Sequence, residues 1–182
     1  MSRAAWLERR YGAEIRWIPF DLHPEYPPEG ISRRDIEARF GTAFMDRVRQ
    51  MIEEAGYRYA PPPFIPNSSL PLELAELARD RGVFAPVHRR LFASYWSEGR
   101  DIGDPAVLLE IGTEAGLDAD EIRGSLAERP RRQRIAEATK GAIELGIGGV
   151  PAFVLDESLY VSGAQPESLF ERAMERLGHR PV

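Results

Sequence analysis

Strand-like segments lie only near the two ends of this chain, and helix-forming sequence fills the distance between them. Residues 13–20 alternate apolar and charged side chains, the period of two that is typical of a half-buried strand. Residues 152–155 and 159–163 are short apolar segments on either side of the turn-forming residues 156–158, which predicts a β-hairpin. Strands of one sheet at opposite ends of a chain indicate an α/β domain with a helical insertion.

The middle of the chain carries repeated helix signals. Apolar residues recur there three and four positions apart, which predicts amphipathic helices. Asp104, which precedes a proline, and Asp118 are typical first residues of helices. We therefore predict an inserted helical subdomain over residues 32–145, and a second part made of residues 1–31 and 146–182.

Composition and charge exclude several classes of function. The chain has 182 residues, of which 43% are hydrophobic and 29% charged, an ordinary globular balance. Its net charge of −5 argues against a nucleic-acid-binding surface, and we interpret the one dense basic run, residues 129–134, as a solvated face. No apolar run is long enough for a membrane span, and no secretion signal is visible at the start. We therefore expect a cytoplasmic protein with neither nucleic acid nor membrane as partner.

Cysteine is absent from the sequence, so no thiolate nucleophile, disulfide or cysteine-ligated metal exists on this chain. The three histidines, His23, His88 and His179, are scattered along the sequence and do not have the spacing of a zinc site. The acidic pair Asp101 and Asp104 does not match a calcium loop, and helix capping by Asp104 explains its position. We therefore predict no metal site.

Four segments carry a resemblance to a known family. They are IRWIPFDLHPEYPPEG, PNSS with LELAELARDRG, LFASYWSEGRDIGDPAVLLEIGTEAGLD, and GIGGVPAFVLDESLYVSGAQPESLF. In this order they resemble the DsbA-like family of thioredoxin-fold disulfide oxidoreductases. The most similar branch is the FrnE-like one, which is related to 2-hydroxychromene-2-carboxylate isomerases. The resemblance covers nearly the whole chain, and its last two segments are the most specific.

The resemblance implies a thioredoxin-like fold with a large, all-helical inserted subdomain. Family members begin with a strand and a CPWC-type motif, whose first cysteine ionises at a helix N-terminus and attacks a disulfide through a mixed-disulfide intermediate. In the isomerase branch a serine replaces that cysteine, and glutathione is the cofactor. This chain has too few residues before Trp17 for the first strand and the CxxC motif. We therefore expect a chain truncated at its N-terminus, with a cysteine-free paralogue as the alternative.

Two positions are candidates for a family site residue. Val150–Pro151 matches the cis-proline loop of the family, whose backbone pairs with an extended substrate or with glutathione; an ordinary proline at a strand start is the alternative. Ser2 is the only candidate for an isomerase-type serine, but it lies too close to Trp17, and a helix cap or frayed terminus is the simpler interpretation.

Two further residues are predicted to contact substrate. Asn67 belongs to a segment that borders the active site in relatives, and its alternative role is that of a turn or cap asparagine. Gln165 follows the last strand, near where glutathione-binding relatives contact the cofactor, and its alternative is an ordinary loop residue.

Three functions remain open at this point. The first is a thiol-disulfide oxidoreductase or isomerase of the DsbA family, with protein thiols and disulfides as partners. Without its CxxC motif, the chain as given would not catalyse thiol exchange. The second is a glutathione-dependent isomerase or kappa-type transferase. The third is a non-catalytic thioredoxin-fold binding module; a homodimer is compatible with each.

Overall fold

Helices occupy most of the protein, and strands are short. The computed structural model describes residues 3–182. In chain order its elements are α1 Arg3–Tyr11, β1 Ile31–Ser32, α2 Arg33–Phe40, α3 Thr42–Glu54, β2 Phe64–Ile65, α4 Ser69–Asp80, α5 Phe84–Trp96, α6 Pro105–Glu114, α7 Ala119–Glu128, α8 Arg132–Glu144, β3 Ala152–Leu155, β4 Leu159–Ser162 and α9 Glu167–Arg176. The mixture of helices and small sheets agrees with the predicted α/β fold with a helical insertion.

The described strands form two separate antiparallel pairs. β3 pairs with β4 in the register Ala152↔Ser162 to Leu155↔Leu159, which confirms the predicted hairpin. β1 pairs with β2, a two-residue ladder that the sequence analysis did not predict. Gly30 has a φ of +77° next to that ladder, and a Cβ there would clash with the carbonyl of Ile65. This position therefore requires glycine.

Residues 13–20 are not a strand, so the prediction of one there was wrong. They form no ladder with any described strand. The alternation reflects packing instead: Ala13 and Ile15 are partly buried against the cluster formed by the hairpin and α9. A period of two records which side of an extended segment is buried, and it carries no information about whether a neighbouring strand supplies hydrogen bonds.

Two apolar clusters divide the described part of the chain. One lies among α4 to α7 and includes Leu74, Leu77 and Ile122, each 0% exposed. The other joins α1 and the hairpin to α9 around Phe170, also 0% exposed. The predicted division into residues 32–145 and the two flanking segments stays a prediction, although each cluster lies on one side of it.

Aspartates begin two of the helices as predicted. Asp104 accepts a hydrogen bond from the backbone N–H of Ala106 at 2.8 Å. Asp118 accepts from the N–H groups of residues 120 and 121 at 3.0 and 2.9 Å. Glu121 does not return the bond as a full capping box would, because its carboxylate is paired with Arg81 across to α4.

A buried ion pair fastens α8 to α4. Glu73 is 1% exposed and accepts bonds from the Arg131 backbone N–H at 3.1 Å, the Arg131 guanidinium at 3.2 Å and the Ser125 hydroxyl at 3.1 Å. Every acceptor in this pair is therefore hydrogen-bonded, as a buried charge requires.

The same contact extends toward the surface. Asp80 accepts bonds from Arg131 at 2.7 Å and from Arg134 at 2.9 Å, and Arg134 also lies 3.0 Å from Glu76. Burial raises the pKa of Asp80, but the hydrogen bonds from the two arginines outweigh it and hold that pKa below its ordinary 3.8. The basic run is thus not simply a solvated face, because two of its arginines hold helices together.

Neither a membrane span nor a metal cluster is present in residues 3–182. Every helix there falls short of the length and apolar character that crossing a bilayer requires. The His, Asp and Glu side chains of the same residues form no group of three that could hold a metal ion.

Candidate functional site

The chain enters the hairpin through an exposed loop with a cis peptide bond. The Val150–Pro151 bond is cis, as the sequence analysis expected for this position. Val150 is 53% exposed, and a Cβ on Gly148 or Gly149 would meet no atom within 4 Å. The carbonyl of Pro151 accepts a hydrogen bond from the Gly163 N–H at 2.8 Å. The loop is therefore fastened to the end of β4 while the backbone before it stays open.

The backbone of β3 presents hydrogen-bonding groups on the side away from β4. The bond between residues 163 and 151 makes that pair a hydrogen-bonded one, and in an antiparallel ladder such pairs alternate. Phe153 therefore bonds to β4, whereas Ala152 and Val154 direct their N–H and C=O groups the other way. No described strand pairs with that edge. We call it the β3 edge; it can accept an extended segment by strand addition.

Residues 13–20 contact the hairpin turn without pairing with β3. Arg16 lies 3.8 Å from Glu157 in the hairpin turn, and farther along the Asp21 N–H donates to the Thr139 hydroxyl of α8 at 2.9 Å. No backbone hydrogen bond among the described residues links this segment to β3. The segment therefore contacts the hairpin turn through Arg16, meets α8 at Asp21, the residue after its end, and adds no strand to β3.

Several large apolar side chains are exposed in residues 13–20, at the end of α8 and in β3. They are Ile18, Ile143, Leu145 and Val154, with exposed fractions of 55%, 58%, 72% and 48%. The sequence analysis missed them as candidates, since an apolar residue in a short strand or at a helix end is normally assigned to the core. One signal could have identified Val154. It precedes Leu155 in the predicted strand, and neighbouring strand residues point to opposite faces, so one of the two is expected to be exposed.

Asn67 lies at the start of α4, and its side chain is fully engaged there. Its Nδ2 donates to the Tyr26 carbonyl at 2.6 Å, and its Oδ1 accepts from the Ser69 N–H at 2.9 Å. The structure thus shows the turn-and-cap geometry that the sequence analysis gave as the alternative. No contact between Asn67 and Val150 is present in the described structure, and its role toward a substrate stays a prediction.

Gln165 lies close to the cis-proline loop through the backbone. Its N–H donates to the Gly163 carbonyl at 2.9 Å, and Gly163 in turn bonds to Pro151. Its side-chain Nε2 donates to the Ser162 carbonyl at 2.7 Å, and its own carbonyl accepts from Arg3 at 2.7 Å. The structure therefore brings Gln165 to the same end of the hairpin, and its contact with a ligand stays a prediction. Ser2 lies outside the described residues.

The arrangement can bind a ligand but offers no thiol. Exposed backbone groups of the β3 edge and the exposed Val150 side chain provide hydrogen bonds and apolar contact. The 182 residues contain no cysteine, and a thiolate is the nucleophile in disulfide exchange. Bond exchange therefore needs a sulfur that these residues do not supply.

The chain is similar in sequence to a family model and to a bacterial protein. The family model described as DSBA-like thioredoxin domain matches residues 2–175. Protein YwbO of Bacillus subtilis (strain 168) is 26% identical over 179 residues, covering 96% of this chain and 88% of its own.

Two solved structures have similar folds. A probable DsbA oxidoreductase from Streptomyces coelicolor superposes with a TM-score of 0.80 at 27% identity, covering 93% of this chain and 77% of its own. A 2-hydroxychromene-2-carboxylate isomerase superposes with a TM-score of 0.69 at 23% identity, covering 96% and 86%. The second likeness is one of fold alone.

Proposed function

Since the chain belongs to the DSBA-like thioredoxin domain family, we propose that it supplies the substrate-binding half of a thiol-disulfide exchange site. In this proposal the Val150–Pro151 loop and the β3 edge hold an extended thiol- or disulfide-bearing peptide. Glutathione, itself a short peptide, is the small-ligand form of the same substrate class.

The observation that supports this proposal is the exposed cis-proline loop beside an unpaired strand edge. Val150 is half exposed, and the outward N–H and C=O groups of Ala152 and Val154 continue the edge that begins at the loop. An extended peptide laid along this edge gains backbone hydrogen bonds whatever its sequence, and the apolar side chains nearby add contact area. Asn67 and Gln165 are proposed as neighbours of the bound peptide.

Turnover does not follow from binding alone. Exchange begins when a thiolate attacks a disulfide sulfur and the other sulfur leaves as a thiolate. No side chain of these residues can do this, so we expect the chain as printed to bind substrate without reducing it. We propose the cytoplasm as its location, where glutathione keeps thiols reduced.

Nuclear magnetic resonance titration of the ¹⁵N-labelled chain tests this function. The probes are glutathione disulfide, a disulfide-bonded hexapeptide pair, and the same hexapeptide with serine in place of cysteine. We expect shifts at the amides of Val150, Ala152 and Val154 with the disulfide probes at millimolar concentration. The Val150→Asp variant should weaken them, because the new carboxylate repels the carboxylates of glutathione disulfide and replaces the apolar contact that the valine side chain offers to either disulfide probe.

A matched control is Val182→Asp, the same change at a position that is 87% exposed; it should leave the titration unchanged. Absence of shifts at the β3 edge, or shifts that persist undiminished in Val150→Asp, would contradict the proposal. The serine peptide should bind about as well as the disulfide-bonded one, because backbone pairing does not depend on the side chain. Binding of glutathione disulfide without binding of either peptide would favour a glutathione-dependent enzyme. If this chain reduced the disulfides of insulin above the background rate, the conclusion that exchange needs a thiol from another molecule would be refuted.

A further inference from the structure

The outer side of the hairpin carries a second feature, independent of the cis-proline loop. A shallow cavity of about 330 Å³ lies where β4 meets α9. Leu159, Leu169 and Ala173 form its apolar floor, and Arg172 and Arg176 stand at its rim. The cavity therefore combines apolar surface with two cationic side chains.

The backbone of β4 beside this cavity has N–H and C=O groups that can bond to an added strand. Tyr160 lies opposite Val154 and Ser162 lies opposite Ala152. These are the pairs without hydrogen bonds between them, so Tyr160 and Ser162 direct their backbone N–H and C=O groups away from β3. The side-chain amide of Gln165 donates a hydrogen bond to the carbonyl of Ser162. Within residues 3–182 no backbone bond to the N–H or C=O of Tyr160 is present. We call this side of the hairpin the β4 edge.

The two arginines at the rim have no acidic partner in the part of the chain that is described. Two of the three acidic residues of α9 are paired elsewhere: Glu167 lies 3.3 Å from Arg3, and Glu171 lies 3.8 Å from Arg10. The third, Glu175, is exposed and forms no ion pair with either arginine within residues 3–182. Arg172 and Arg176 are exposed and one turn apart, and like charges at that spacing repel each other. An incoming pair of carboxylates would relieve this repulsion.

The spacing of the arginines matches the repeat of a strand. Four residues along a helix rise about 6 Å, and two residues along a strand advance about 6.6 Å. Side chains at alternate positions of an added strand point to the same face. Carboxylates at positions i and i+2 of an added strand are therefore spaced about as far apart as Arg172 and Arg176.

From these observations we propose that the β4 edge binds an extended acidic segment of a partner protein. The segment adds as a strand at Tyr160, presents acidic side chains at two alternate positions to Arg172 and Arg176, and places an apolar side chain in the cavity. A second copy of this chain is the less favourable occupant, since pairing two β4 edges about a twofold axis would bring four arginines to one side of the joined sheet.

Fluorescence anisotropy with labelled hexapeptides tests the proposal on the full chain. The probe is acetyl-Leu-Thr-Glu-Thr-Glu-Thr-amide, which carries the apolar residue and both carboxylates on one face. One control probe has glutamine for both glutamates, and a second has the two glutamates at adjacent positions. We expect the first probe to bind at least about tenfold more tightly than either control, since paired charge-assisted hydrogen bonds need both charge and register.

The matching variants change the protein and not the probe. The double variant Arg172→Gln/Arg176→Gln should weaken binding about tenfold. Arg34→Gln/Arg47→Gln, which removes the same charge from exposed positions on α2 and α3, should change it less than twofold. Because all four arginines are exposed, neither double variant should unfold, and unchanged circular-dichroism melting of both variants verifies this.

Three results would overturn the proposal. The first is equal affinity for the glutamine probe, and the second is an amide perturbation map of the bound probe that omits Tyr160. The third is a concentration-dependent dimer in sedimentation that Tyr160→Pro abolishes, because the edge would then be occupied by a second copy. None of these results bears on the cis-proline loop, so this proposal and the proposed function fail separately.

Discussion

Removal of the Arg131 side-chain charge should strongly destabilise the protein. The Arg131 side chain is 15% exposed, and its guanidinium lies 3.2 Å from the carboxylate of Glu73, whose side chain is 1% exposed. Arg131→Met keeps most of the apolar stem and removes the charge. Glu73 would then be a buried anion whose neutralising partner is gone.

The expected loss can be worked out from the contacts that remain. Breaking a buried ion pair by removing one partner costs about 3–5 kcal/mol. Glu73 keeps two donors after the change, the Ser125 hydroxyl and the backbone N–H of residue 131, so the loss should lie at the lower end, about 3 kcal/mol. For a chain of this length, that lowers the melting temperature by about 6–12 °C.

Urea unfolding followed by circular dichroism measures this loss, with the slope m expected to stay constant. Arg123→Met is the matched control: its ion pair with Asp120 is exposed, and exposed pairs contribute little. Glu73→Met and the double variant complete a thermodynamic cycle, in which we expect a coupling of at least about 1 kcal/mol. A loss below about 1 kcal/mol in Arg131→Met, or additivity within about 0.5 kcal/mol, would refute the reasoning.

Two further predictions concern the helical core. Burial raises the pKa of Tyr95 to about 12 from 10.0, so the folded state keeps the phenol proton longer than the unfolded state, and stability should fall as pH rises from 10 toward 12. Tyr95→Phe should make this alkaline decline of the urea midpoint shallower, and parallel declines would contradict the assignment. A Cβ on Gly112 would lie 2.6 Å from Cδ1 of Ile122, so Gly112→Ala should cost about 1 kcal/mol despite its better helix propensity. In an Ile122→Val background, which removes that methyl group, the same change should be neutral or stabilising, and an unchanged cost would show that the contact is not its cause.

Local chemistry made much of the fold predictable. An aspartate before a helix accepts the first orphan N–H groups wherever that helix lies, so Asp104 and Asp118 were identifiable from neighbouring residues. The turn at residues 156–158 was equally local. Two of its residues, Asp156 and Glu157, have positive φ values of 48° and 54°, which lets β3 and β4 pair directly.

The candidate site was predictable only at its cis-proline loop. The cis-proline loop at Val150–Pro151 was expected from the family resemblance of its segment, and the bond between the two residues is cis. The side chains of Asn67 and Gln165 were different, because their partners lie elsewhere. Asn67 donates to Tyr26, 41 residues earlier, and the main-chain carbonyl of Gln165 accepts from Arg3, 162 residues earlier. No local pattern shows that these groups are already engaged.

The sequence by itself determined the helical character of the middle of the chain, the helix starts at Asp104 and Asp118, the terminal hairpin and the absence of cysteine. Each of these depends on residues within a few positions of one another or on composition. Only the tertiary structure decided that residues 13–20 form no ladder, that Arg131 is buried against Glu73, and that no other strand within residues 3–182 pairs with either outer edge of the hairpin. Hydrogen-bond partners and burial depend on which distant segments meet, and a one-dimensional pattern of apolar and polar residues does not record that.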